Sequence, residues 1–547
     1  MRSLYHIKNQ ACWWVHQHSS ASLGRGIEML INVKEVQLFQ IDLQDLTQRL
    51  TRCPHDPVAW LQRAEVLLSL GFPELAVGDA YKALLLIQKS RRSEDRLAAS
   101  INHHLGINAP ISLTNAEVQR SVTEQGVLLA LGQGLLFANC LQDSLEYAQR
   151  AFLNYPKNAN LRSLLTKAQR AHDQDQWESM EDENLDDMDA LEEDEYRRSG
   201  HTLLQSYPWM DPELFSRGAD VTASSQRRFL RASWSQCSLE RSSVRAGMPL
   251  GDRSEKFSEV FGVMAAEDLG LHEMLLIDHT AASAVDDPAN RCSCCCGTLT
   301  KSFLALNCCS ALYCSKLCAD LALRTYHLAV CGKDLSTFEK AYQKGMASAE
   351  TAADEMLILR VLAGAVQHSA MHPLHTPFVK QLTAMYDGEK HQPFNFKRNI
   401  IGTFEMLTCL GIDIFADHKF DTWVLQTLRI RIGNNAREYS VGGHAHIAIN
   451  PLFSFFNHSC DPNVKWENDT VHHSSSIRMH TLRPVSEGEE LFINYQEDLS
   501  GEPYLKRRAV LTEWLGFDCQ CTRCRDDEAA DQWRKRRKLA GVCSLHP

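Results

Sequence analysis

Asn457-His458-Ser459-Cys460-Asp461-Pro462-Asn463-Val464 is the stretch on which the reading of this chain turns. Taken alone it is a capped turn, because short polar side chains bond their own backbone and proline stops a helix. Its weight comes from what lies downstream. Gly488-Glu489-Glu490-Leu491-Phe492-Ile493-Asn494-Tyr495 reads as a turn followed by a strand, and Cys519-x-Cys521-x2-Cys524 then offers three sulfurs. A structural zinc takes four ligands in a tetrahedron. Cys460 is the best candidate for the fourth, and a zinc joining it to the other three pins the C-terminal segment against the 457–464 turn.

Working outward, the 19 cysteines are unevenly spread, with nine of them between Cys292 and Cys331. The run is Cys292-x2-Cys295, Cys308-Cys309, then Cys314-x3-Cys318-x8-His327-x3-Cys331. A two-residue gap lets one tight turn present both sulfurs to one ion. Residues 1–15 hold only a short apolar patch around Trp13-Trp14, with no signal-peptide core or cleavage site. The clustering therefore predicts zinc ligation in a reducing compartment rather than a disulfide framework. Cys12, Cys53, Cys140, Cys237 and Cys409 read as ordinary buried or neutral thiols.

The 547 residues exceed what one hydrophobic core organises, so several domains are expected. No apolar run approaches the ~20 residues of a membrane span. A net charge of −11 argues against nonspecific nucleic-acid binding and is compatible with a basic protein substrate. Residues 36–170 read as helical. Val58 to Leu70 carries apolar side chains at three- and four-residue steps, Gly71 ends that helix and Pro73 opens another. Small alanines on facing sides and a second, more degenerate pair from Gly126 to Ala151 resemble tetratricopeptide repeats, which implies a groove for a partner's peptide; a generic helical bundle is the alternative. Asp173 to Glu195 has many acids and no Lys or Arg, and residues 196–250 show no strong periodicity. Short strands are expected over Phe257–Thr280, helices over 335–430, and strands and turns over 438–496.

With these parts in order, the chain resembles the SET and MYND domain family of protein lysine methyltransferases. The 457–464 and 488–495 stretches look like the two SET signatures, Leu515-Gly516-Phe517-Asp518 leads into post-SET cysteines, and the cysteines at 292–331 look like a MYND finger inserted between the two halves of a split SET fold. The resemblance covers about 255–527. It implies an α+β multidomain chain: TPR-like helical repeats (36–170), an acidic linker and irregular connector (171–250), the N-terminal SET part (255–291), a MYND zinc finger (292–331), a helical SET insert (332–430), the SET core with its pseudoknot (431–500), a post-SET motif (501–527) and a basic tail (528–547).

The resemblance also implies roles. S-adenosylmethionine (SAM) is the methyl donor and zinc the structural metal, up to three ions. Cys292, Cys295, Cys314 and Cys318 hold one zinc; His327 and Cys331 share a second with a cysteine pair. The family has a second C-x2-C there, whereas this chain has adjacent Cys308 and Cys309, with Ala305 and Leu306 in the partner's place. Cys294 and Cys296 stand as substitutes. Cys460, Cys519, Cys521 and Cys524 hold the third ion. Asn457 and His458 contact SAM, as does Asn435, with Asn434 as its rival in register. Gly262 lets the backbone approach SAM, although the family's companion glycine is Val260 here. Tyr495 is the catalytic tyrosine and also lies at the donor site, and Phe517 lines the lysine channel there.

Protein-lysine N-methylation of a histone or non-histone substrate is thus the leading expectation, with peptide partners for the repeats and finger and no direct nucleic-acid contact. The rival is a SET/MYND scaffold without activity. A DNA-binding zinc protein is disfavoured because the finger lacks a basic recognition helix. Arg534-Lys535-Arg536-Arg537-Lys538 reads as a nuclear-import signal or a solvated tail, and residence in nucleus or cytoplasm is expected.

Overall fold

The computed structural model describes residues 33–91, 96–107, 116–179, 194–195, 197–210, 219–233, 235–242, 261–299, 303–335, 348–376, 378–382, 391–468, 476–495, 497–515 and 518–543. Cys12, Val260 and Phe517 lie outside them. The chain is α+β and divides into two compact units. The first takes Met1–Pro208, Lys333–Glu355 and His391–Thr427; the second takes Trp209–Gly332, Met356–Lys390 and Leu428–Pro547. Segments 333–355 and 391–427, read from sequence within one helical insert, group with the first unit.

The first unit begins with seven helices among the described residues, from Val33–Arg52 through Pro57–Ser69, Pro73–Lys89, Arg96–Ile107, Ala116–Phe137 and Leu141–Asn154 to Ala159–Ser179. Local chemistry explains their ends. The Asp56 carboxylate accepts from the Val58 and Ala59 amides at 3.0 and 3.2 Å, with Pro57 at the first helical position. Gly71 takes φ +81° just past that helix, a conformation that L side chains rarely adopt. Ala59, Ala64, Ala76, Ala80 and Ala83 are fully buried, so the helices approach closely.

One interior cluster of this unit is ionic. Arg63 grips Asp79 with two bonds of 2.6 and 2.8 Å and reaches Asp421 at 2.9 Å, and Lys82 lies 3.3 Å from Asp421. Both cations also lie over the Trp60 ring, at 4.7 and 4.4 Å. Two positive and two negative groups balance. Burial opposes the Asp421 charge, yet Arg63 and Lys82 hold its carboxyl below the ordinary range. Removing one partner leaves buried charge uncompensated. Asp421→Ala is therefore expected to cost about 3–5 kcal/mol, read by urea unfolding; a midpoint equal to that of the unmodified chain would contradict this.

The second unit carries small sheets. A four-stranded sheet has the order Asn457–His458, Glu490–Ile493, Phe261–Ala265, Cys237–Arg241. Two three-stranded sheets join Ala282–Val285 with His444–Ile449 and Ala436–Val441, and Val464–Asn468 with Ile477–Thr481 and Met274–Asp278. Residues 196–250, expected to be an irregular connector, contain a strand at Ser199–Leu203, a helix at Ala219–Ala232 and the Cys237–Arg241 strand. The strands are only five residues long, too short for alternation to rise above the background of this Ser- and Arg-rich segment. Phe229, Val263, Leu275, Leu276, Phe455 and Ile493 are among the residues forming the core beneath these strands.

Candidate functional site

The 457–464 turn and the 488–495 segment meet as a parallel pair. Asn457 lies opposite Phe492 and His458 opposite Ile493, and the Ser459 amide donates to the Ile493 carbonyl at 2.9 Å. Asn463 locks the pair from below: its amide group donates to the Glu490 carbonyl at 2.8 Å, and its side-chain oxygen accepts from the Phe492 amide at 2.7 Å. Glu490–Ile493 in turn pairs antiparallel with Phe261–Ala265. Two segments far apart in sequence are thereby laid side by side under one aromatic residue, Tyr495.

Tyr495 is 39% exposed, and its hydroxyl donates to the Phe456 carbonyl at 2.8 Å. A phenol oxygen accepts as well as donates. The Tyr495 amide donates to His458 Nδ1 at 3.1 Å, which leaves the ring proton on Nε2, 3.4 Å from Cys460 Sγ. Burial pushes His458 down to about 4, so the ring is neutral, as this bridge requires. His458 thus ties the Tyr495 backbone to the thiol cluster beside it.

That cluster is Cys460, Cys519, Cys521 and Cys524, whose sulfurs all lie within 4.8 Å of one another. Cys460 and Cys524 are 3.5 Å apart, and the Cys524 amide donates to Cys521 Sγ at 3.4 Å. Arg523 holds the Cys460 carbonyl at 3.2 Å. Two further groups meet the same 4.8 Å limit: Cys292, Cys295, Cys314 and Cys318; and Cys308, Cys309, His327 and Cys331. These are donor sets of four thiols, or of three thiols and an imidazole, that could hold zinc. In the second finger group both adjacent cysteines reach His327 Nε2, at 3.3 and 3.8 Å. His327 Nδ1 lies 2.9 Å from the buried Tyr313 hydroxyl, which fixes the ring with Nε2 toward the thiols. Cys294 and Cys296, the proposed substitutes, lie outside all three groups; Cys296 Sγ accepts instead from Ser283 at 3.7 Å.

The expected donor residues are only partly together. The Asn457 amide donates to the Phe261 carbonyl at 3.1 Å and to Glu490 at 2.7 Å. A Cβ on Gly262 would stand 2.2 Å from Glu490 Oε1 and 3.0 Å from Asn457 Nδ2. The glycine therefore makes room for a buried carboxylate that also accepts from Ser242 at 2.7 and 3.0 Å. Asn435 is buried, and its amide donates to the Arg431 carbonyl at 2.8 Å; Asn434 follows in the turn after the same helix. Glu490 was quoted in the sequence only as part of a turn-strand motif, and its partner roles carry no spacing signal. Gly262→Ala should displace Glu490 and free Asn457, at a cost of about 1–3 kcal/mol in urea unfolding; unchanged stability would refute this packing.

The SET domain family profile matches residues 164–496. Among curated relatives, the histone-lysine N-methyltransferase ATXR4 of Arabidopsis thaliana is 41% identical over 88 residues, 16% of this chain and 24% of its own length. A SET and MYND domain-containing protein of Dictyostelium discoideum is 45% identical over 98 residues, 18% of each chain. The histone-lysine N-methyltransferase SET5 of Saccharomyces cerevisiae is 39% identical over 74 residues, 14% of this chain and 13% of its own. The matched segments span a quarter or less of those relatives' lengths.

Proposed function

The chain belongs to the SET domain family, and from that premise we propose that it methylates a lysine side chain of a protein substrate, with SAM as donor and Tyr495 as the catalytic residue. One observation supports the reading: partly exposed Tyr495 is tied to the parallel 457–458/492–493 pair through His458 Nδ1 and the Phe456 carbonyl. A bound SAM supplies an electrophilic methyl on a sulfonium. The donor set suits such a cation: the Phe456 carbonyl and the Tyr495 oxygen are acceptors, and the buried Glu490 carboxylate, bonded to Asn457, is an anion. Asn435 and Gly262 complete the donor side in this reading, and Phe517 the lysine channel.

Tyr495 orients the incoming amine, which arrives neutral because only a lone pair can attack. The Tyr495 oxygen accepts from the amine N–H and from the polarised methyl C–H, contacts that strengthen as the methyl moves. The neutral His458 keeps the Tyr495 backbone fixed against Cys460. The three Cys/His groups take structural zinc. The N-terminal helices, read as TPR-like repeats, and the finger engage peptide partners, and the basic run within the Thr522–Cys543 helix serves nuclear import. Among the described residues no helix is long and apolar enough to cross a membrane.

Calorimetric titration of the zinc-loaded chain with SAM tests the proposal. One site with measurable heat is expected. Absence of heat would favour the scaffold reading, in which the finger and helices bind partners and the 457–495 pair is only structural.

A further inference from the structure

The two finger groups differ in what surrounds them. Arg360, on the Ala349–Gln367 helix, is half-buried against the Cys292–Cys296 turn. One guanidinium nitrogen donates to the Ser283 and Cys294 carbonyls, the latter at 2.8 Å, and the other to the Ser293 carbonyl at 2.7 Å. The guanidinium also lies 4.8 Å from the Tyr326 ring centroid. The Cys294 carbonyl belongs to the same peptide as the Cys295 amide, which bonds the Cys292 sulfur. A cation on the carbonyl end polarises the amide end, so Arg360 strengthens the bond that stabilises a ligating thiolate. With a divalent ion bound, four thiolates would carry a net charge of minus two, part of which Arg360 would compensate at this half-buried position.

The other finger group has no such guard. Cys308 is exposed, Cys309 and Cys331 are half-buried, and among the described residues no Lys or Arg side chain bonds any of the three. Its imidazole is neutral, so the group carries one thiolate fewer. Exposure gives a reagent access, and a metal-bound sulfur with no hydrogen-bond donor or cation drawing on its lone pairs would keep more of its nucleophilicity than one so partnered.

We propose that, among the cysteines of the three described Cys/His groups, Cys308 is the most reactive, a modification site for soft electrophiles at a yielding zinc centre, while Arg360 holds the Cys292–Cys295–Cys314–Cys318 centre inert. With an α,β-unsaturated carbonyl, the Cys308 sulfur donates its electron pair to the β-carbon. A sulfur–carbon bond forms, and the carbon–carbon π pair moves to the α-carbon and takes a proton from water, leaving hydroxide. The resulting thioether would be a poorer ligand, so an ion held by this group would be released.

The test uses the full zinc-loaded chain with less than one equivalent of N-ethylmaleimide, peptide mass mapping and a colorimetric chelator. Cys308 and its neighbour Cys309 should be labelled first, with release of one zinc. Arg360→Met should raise labelling of Cys292 and Cys295 by about tenfold or more, and Arg360→Lys by less. Gln367→Ala, which removes bonds from the same helix to the Leu328 amide and Leu323 carbonyl, should leave the order unchanged and so separates charge compensation from simple docking. First labelling at the Cys292 or Cys460 group, or equal labelling of all three groups, would overturn the proposal. Should Arg360→Met fail to fold, the labelling order in the unmodified chain and in Arg360→Lys still decides.

Discussion

Tyr495→Phe is expected to lower methyl transfer by about 100-fold or more while SAM binding is retained. The phenol donates its proton to the Phe456 carbonyl at 2.8 Å, so in the proposed mechanism its oxygen meets the reacting group as an acceptor. A preorganised polar group aimed at a transition state contributes on the order of 10²–10³ in rate when removed. The substitution keeps the ring and hence the tilted contact with His458, whose centroid is 5.3 Å away. In the proposed reading, ground-state binding of the donor rests on the 457–458 backbone, which the substitution leaves in place. The expected pattern is a fall in kcat with little change in SAM affinity by calorimetry. Equal turnover by Tyr495→Phe would remove the residue from the mechanism.

Cys460→Ser should abolish methyl transfer and release one of three zinc equivalents. Cys460 is the single ligand of its group that comes from the 457–464 turn, and the other three follow the Tyr504–Leu515 helix. Without it the C-terminal thiols lose their anchor. The His458 ring also loses its sulfur partner, while the residue-460 backbone carbonyl that Arg523 holds remains. Because metal binding and folding are one free energy in such small motifs, several kcal/mol of local stability go with the ion. Atomic absorption and a methyl-transfer assay on the same preparation read both effects. Full activity with only two bound ions would break the link between the zinc group and the site.

The sequence was most legible where chemistry dictates spacing. Cys460 and the 519–524 thiols are separated by about sixty residues, yet the arithmetic of four ligands brings them together, and the geometry agrees. The adjacent Cys308 and Cys309 looked ill-suited to share one ion, because neighbouring side chains tend to diverge. The Asn307–Ser310 turn folds both sulfurs toward His327, a local backbone choice that residue spacing does not record. Gly262 was read as the glycine that lets the backbone approach SAM, and the packing adds a second demand for glycine there. The crowding atom is the Glu490 carboxylate, placed there by strand pairing rather than by anything near in sequence. Arg360 was invisible. It sits in an apolar helical run, and only tertiary packing turns it onto the 293–294 carbonyls. The strands at 199–203 and 237–241 were missed because five residues in a polar segment give too little pattern; their identity comes from partners at 391–395 and 261–265.

Incubating the zinc-loaded chain with methyl-labelled SAM and whole-cell protein, then mapping the label by mass spectrometry, bears most directly on the idea that a tail-borne metal cluster steadies a tyrosine for alkyl transfer. Methylated lysine should appear with the unmodified chain and vanish with Tyr495→Phe and Cys460→Ser alike. Label on lysine that persists undiminished in both variants would contradict the account.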